Sequence, residues 1–168
     1  EQQRFDQVVF ACHSDQTLRM IRDATGAEKE ILGAIPFQSN DVVLHTDSSV
    51  LPSNRRAWAA WNYFIPGHST EPVSVTYNMN ILQNFHSSED TFCVTLNRAR
   101  DIDPARIIKR YNYAHPVFSL EAVAAQNRYD EIGGRNRSHF CGAYWFNGFH
   151  EDGVCSALRV TKAFGVEL

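Results

Sequence analysis

Five short runs between residues 41 and 115 are patterned as β-strands, and this restricts the fold more than any other feature of the chain. In one of them, Val73-Ser74-Val75-Thr76-Tyr77-Asn78-Met79-Asn80, apolar and polar residues alternate with the period of a half-buried strand. The runs 41–46, 57–64, 91–97 and 106–115 are the others. Leu51-Pro52-Ser53-Asn54 and Pro66-Gly67 supply turn residues between them. Consecutive strands with short connections predict an antiparallel meander, with one face of the sheet packed and the other open.

The two ends of the chain follow a different pattern. Gln7-Val8-Val9-Phe10-Ala11 is a nearly continuous apolar run, which suits a strand buried on both faces of a parallel sheet. Ser14 or Asp15 is placed to cap a helix that buries Leu18, Met20 and Ile21. A second helix over 27–32 ends at Gly33. Further on, 120–128 has helical spacing, Gly133-Gly134 is a turn and 139–141 is a short strand. A helix over 151–164 stops at Gly165, with Val154, Ala157, Leu158 and Val160 on its apolar side. The fold class expected is α+β: an antiparallel sheet with helices in the middle, and a strand and helix at the C-terminal end. The ends, 1–35 and 119–168, are expected to form one lobe and 36–118 another. The chain opens on Glu1-Gln2-Gln3 and enters a strand within a few residues, as a domain cut from a longer chain would.

Composition excludes several classes. With 168 residues, 43% of them hydrophobic, the chain can build one ordinary core or two small lobes. Its net charge of -3 and its scattered basic residues give no basis for binding nucleic acid. No apolar run approaches the roughly 20 residues of a membrane span. Cys12, Cys93, Cys141 and Cys155 form no CxxC and lie in apolar surroundings. Buried free thiols are expected, which fits a reducing, cytoplasmic compartment. His139 and Cys141 could share a strand face, but no further metal ligands accompany them, so no metal is expected. His150-Glu151 opens like a zinc-protease motif, yet Val154 occupies the place of the second histidine. There is no GxSxG elbow, and nothing in the sequence activates a particular thiol.

The densest chemistry lies in Phe140-Cys141-Gly142-Ala143-Tyr144-Trp145-Phe146-Asn147-Gly148-Phe149-His150-Glu151-Asp152-Gly153-Val154. It is a strand, a loop with glycines, and a helix opening at Glu151-Asp152-Gly153. A helix N-terminus presents unpaired N–H groups and partial positive charge to an electron-rich ligand. Glycines let such a ligand approach the backbone. The same residues also describe a capped helix beneath a tight aromatic turn.

This stretch resembles the C-terminal cofactor motif of flavin-containing amine oxidases. There, a strand ending in Phe-Ala-Gly leads to a helix whose first amides face the flavin. Cys141-Gly142 matches the Ala-Gly step, and 148–159 matches the helix start. The run 5–11 resembles the strand that returns to the FAD domain of these proteins. His45-Thr46-Asp47, Leu51-Pro52, Ala57-Trp58-Ala59-Ala60-Trp61-Asn62-Tyr63 and Tyr77-Asn78-Met79-Asn80 are similar to a bacterial subgroup of FAD-dependent oxidoreductases. That subgroup is itself similar to the oxidase-like region of plant cyclopropane fatty acid synthases. The similarity covers nearly the whole chain. It implies an FAD cofactor bound by Gly142, Ala143, Tyr144, His150, Glu151, Asp152 and Gly153, with the first three on the ribityl side. It also implies hydride transfer from a small-molecule or lipid substrate. Two departures stand out. The dinucleotide fingerprint GxGxxG is absent, and Tyr144 occupies a position that is often Glu in the family.

Candidate substrate residues are Tyr63, Asn78 and His115. Tyr63 and Asn78, like Asn62 and Asn80, either hydrogen-bond a substrate or sit on the open sheet face. In similar proteins the region of His115 comes near the flavin. Trp58 and Trp61, three residues apart on one predicted strand, face opposite sides, so at least one belongs in the core. The competing class is a non-catalytic module whose aromatic, Asn-rich sheet face binds a lipid or another protein.

Overall fold

The computed structural model describes residues 2–66, 73–85 and 88–166. In chain order its strands and α-helices are β1 (Val8–Phe10), α1 (Ser14–Met20), α2 (Gly26–Gly33), β2 (Phe37–His45), β3 (Trp61–Phe64), β4 (Ser74–Asn78), α3 (Met79–Leu82), β5 (Cys93–Leu96), β6 (Ile107–Pro116), α4 (Leu120–Gln126), β7 (Ser138–Phe140) and α5 (His150–Ala163). The architecture is α+β, with an antiparallel five-stranded sheet and a small parallel one. The chain divides into two compact units. One joins Glu1–Gln38 to His115–Leu168, and the other is Ser39–Ala114.

In the first unit, β1 and β7 pair in parallel, with Val8 opposite Ser138 and Phe10 opposite Phe140. Burial on both faces does not follow. Val8 and Val9 remain 41% and 46% exposed, since β7 alone borders β1 among the described residues. α2 starts at a reciprocal cap: Thr25 Oγ1 accepts the Glu28 amide, and Glu28 Oε2 accepts the Thr25 amide. α4 starts where Ser119 Oγ accepts the Ala122 amide. Ile31, Leu32, Ala122, Tyr129, Phe140 and Trp145 form the centre of the core. Each large apolar side chain buried there contributes about 1.5–3 kcal/mol. On α1, Leu18 and Ile21 pack against this core but Met20 is 57% exposed. Residues 18 and 21 share a helix face that residue 20 does not. On α5, Val160 is buried and Leu158 half-buried as expected, but Val154 and Ala157 are exposed and Ser156 is buried instead.

In the second unit the sheet order is β3-β4-β5-β2-β6. The three strands β3, β4 and β5 form the expected meander, but β2 inserts between β5 and β6. The expected strand over 57–64 begins only at Trp61, after a single 3₁₀ turn at Arg55–Ala57. Neither Trp58 nor Trp61 is core. Trp58 is half-buried and donates Nε1–H to Pro52 O at 2.8 Å, while Trp61 is 41% exposed.

Register shows which sheet face is packed. Val43 and Thr76 both lie opposite Thr95, and His45 and Asn78 both lie opposite Cys93. These six residues share one face and are all nearly inaccessible. Val50 and Ile102, from the connections at this face, pack on Val43. The other face carries Trp61, Tyr63, Tyr77 and Val94 and is more open. The alternation in β4 is therefore real, but its polar positions Ser74, Thr76 and Asn78 are at least as buried as Val75.

Candidate functional site

The glycine-containing loop joins β7 to α5 within the first unit. Its start is tied to α5: the Gly142 amide donates to Ser156 Oγ at 2.9 Å. A Cβ at Gly142 would lie 2.5 Å from Tyr144 Cε1, so no other residue fits without moving that ring. Gly148 has φ +90, the left-handed region that favours glycine. In contrast, Gly153 meets only an ordinary contact with Ala143.

The helix end matches the sequence expectation in part. The amides of His150, Glu151 and Asp152 find no acceptor among the described residues, as the first turn of a helix requires. His150 and Glu151 are exposed. The Asp152 carboxylate is turned back into the loop, where Oδ2 accepts the amides of Asn147 at 3.2 Å and Phe149 at 2.9 Å. Ala143 is half-buried and its carbonyl accepts from Phe146 and Gly148. Tyr144 is core, only 3% exposed. Burial pushes its phenol pKa well up, with the adjacent Trp145 indole pulling the other way. Tyr144 Oη and Trp145 Nε1 are both buried without a well-formed hydrogen bond. The turn therefore presents the first amides of α5 at the surface, while Tyr144 and Trp145 keep their polar atoms beside one another in the core. Exposed amides of this kind can meet an electron-rich ligand group.

The expected substrate residues do not converge. Tyr63 is 63% exposed on the open face of the second unit, beside a cavity of about 240 Å³ that Ser49, Pro52, Phe64 and Arg98 also line. The Arg98 charge is met there by Asp101, with Nε to Oδ2 at 2.6 Å, and its guanidinium stacks 3.7 Å over Phe64. Asn78 lies on the opposite, packed face at 1% exposure, and its Oδ1 accepts the Ile81 amide to start α3. His115 stands in the first unit at the end of β6. Partial desolvation of its ring, and then the neighbouring His13, hold its pKa below the usual histidine value.

A second concentration of polar groups links β2, β4 and β5, and no sequence spacing marks it. The Asp47 amide donates to His45 Nδ1 at 3.1 Å, His45 Nε2 meets Thr95 Oγ1 at 2.8 Å, and Thr95 Oγ1 meets Thr76 Oγ1 at 2.9 Å. Burial lowers the His45 pKa, with Asp47 opposing it. Burial pushes the Cys93 thiol up to about 12, and also raises Cys141, so neither is a ready nucleophile. His139 is spent on Gln7 and the Phe164 ring. Among the described residues, no three His, Cys, Asp or Glu side chains converge to hold a metal ion. Nor is any helix among them long and apolar enough to cross a membrane. Compared with protein-family models and with curated proteins, the sequence finds no match in either.

Proposed function

We propose that this chain is the C-terminal part of a flavin (FAD)-dependent oxidoreductase, similar to the amine oxidases, that takes a hydride equivalent from its substrate. One observation carries the reading: a parallel strand pair runs through a Gly142 turn into α5, whose first amides have no acceptor. The turn 142–144 would hold the ribityl side of the flavin, and His150, Glu151, Asp152 and Gly153 its pyrimidine edge. When bound, the flavin supplies the redox chemistry, accepting the hydride equivalent. The chain's own contribution is to orient it and, through the α5 amides and helix dipole, to favour negative charge at that edge. The open sheet face around Tyr63 would be the substrate-facing surface of the second unit, and His115, in the first unit, stays a candidate by the resemblance alone. That face is aromatic and apolar, which supports a small apolar molecule or a lipid. A cytoplasmic setting belongs to the same reading, supported by the free state of all four cysteines.

The test is the visible absorbance of the protein expressed at its full encoded length, with FAD assayed after denaturation. Stoichiometric FAD is expected. A colourless protein that also fails to reconstitute with FAD would overturn the proposal. The second reading, a non-catalytic lipid- or protein-binding module, is favoured by one observation, the open aromatic face in which Trp61 packs edge-on to Tyr77 at 5.2 Å.

A further inference from the structure

The loop from Gly142 to Phe149 is held by three side chains. Ser156 and Asp152, both on α5, take the amides of Gly142, Asn147 and Phe149. The third side chain comes from outside the loop and α5. Gln126, the last residue of α4, donates Nε2–H to Tyr144 O at 2.8 Å and to Phe146 O at 2.6 Å. Both partners are carbonyls, which only accept, so the amide NH₂ and not Oε1 must face the loop. One side chain bridging two carbonyls two residues apart fixes the backbone on both sides of Trp145. α4 is itself anchored in the core by Ala122 and Ala125, at 0% and 3% exposure. The amides of Gly142, Asn147 and Phe149 and the carbonyls of Tyr144 and Phe146 are thus satisfied by side chains, whereas the His150, Glu151 and Asp152 amides have no acceptor among the described residues.

We infer that Gln126 is a positioning residue: its amide clamps the 142–149 loop to α4 and sets the backbone geometry with which that loop meets a flavin. The inference rests on the flavin reading above. Preorganisation of this kind raises affinity by removing the ordering cost at binding.

The test uses the protein at full encoded length with three substitutions. Gln126→Met keeps the reach and removes the donors. Gln126→Glu sets acceptors against acceptors. Gln126→Lys restores a donor of similar reach. FAD affinity is expected to fall about tenfold to a hundredfold in the Met variant, for two lost hydrogen bonds. It should fall further in the Glu variant and return close to wild type in the Lys variant. Without FAD, amide exchange over 143–149 should quicken in the Met and Glu variants only, while Ile31 and Leu32 stay as protected as before. Wild-type protein that binds FAD, with a Met variant equal to it in affinity and exchange, would overturn the role of Gln126 and leave the flavin reading standing. Faster exchange throughout the core, unrescued by Lys, would also overturn it, making Gln126 a residue of general stability. A wild-type protein that takes up no FAD overturns the flavin reading and this inference with it.

Discussion

Replacing Thr95 by valine removes the middle of the buried relay in the five-stranded sheet while nearly keeping side-chain shape. The direction of the relay follows from its first member. The Asp47 amide can only donate, so His45 Nδ1 is an acceptor and the neutral ring carries its proton on Nε2. Nε2–H then donates to Thr95 Oγ1, which leaves the Thr95 hydroxyl to donate to Thr76 Oγ1. His45 and Thr95 are 0% exposed and Thr76 3%, so water cannot substitute for a lost partner. Thr95→Val orphans the His45 Nε2–H and also takes the donor from Thr76. A buried unsatisfied group costs about 1–3 kcal/mol and a net hydrogen bond about 1 kcal/mol, so the total is about 2–4 kcal/mol. Thr76→Val leaves only the Thr95 hydroxyl without an acceptor, at a cost of about 1–2 kcal/mol. The double variant should cost much less than the sum, because the two groups are one network. Urea unfolding above pH 7, followed by tryptophan fluorescence, measures all three, with m unchanged if only the native state is affected. Nitrogen NMR of the His45 ring reads the tautomer directly. A Thr95→Val variant no less stable than Thr76→Val, or a proton found on Nδ1, would refute the assigned direction.

Other consequences are open to measurement. The His45 pKa is lowered by burial, so unfolded chains take up a proton that the folded ring resists; stability should be intact above about pH 6.5 and decline as the pH falls from there toward the folded value. The urea midpoint should show this slope, and His45→Gln should flatten it. For Asp47, burial pushes the carboxyl up, but the amides of Asp103 and Ser49, at 2.8 Å and 3.0 Å, pull it below its ordinary value. Its contribution is present above about pH 4 and lost as the pH falls through the folded pKa; Asp47→Ala should cost about 1–3 kcal/mol in the same assay, since it removes the charged acceptor of two part-buried amides. Gly142→Ala drives a methyl into the Tyr144 ring and should cost about 1–3 kcal/mol. On the flavin reading it also lowers FAD content in the full-length protein, which release on denaturation would count. Residues 1–168 expressed alone should bind FAD weakly or not at all by calorimetry, as they lack GxGxxG; tight stoichiometric binding would contradict this.

Much of the local structure was legible because it rests on short-range chemistry. The run 27–32 marks α2, the helical spacing of 120–128 marks α4, and the apolar run at Val8 pairs in parallel as its composition suggests. The strand, glycine loop and helix of 140–163 stand where the sequence put them. Less of the candidate site could be read. Tyr144 points to a loop in sequence but lies in the core, because the turn after Gly142 folds its ring back under the glycine. Gln126 is an unremarkable helix residue until two carbonyls eighteen and twenty positions away come within hydrogen-bonding reach.

The amino-acid sequence alone determined the α+β class, the periods of its strands and helices, and the glycine turn before the last helix, since each depends on residues a few positions apart. Period two assigns residues to two faces without saying which face is covered. Only the tertiary structure decided that the polar face of β4 is the packed one, because Thr76, Thr95, His45 and Asp47 could be buried only once β2 had inserted beside β5 and their hydrogen bonds closed on one another.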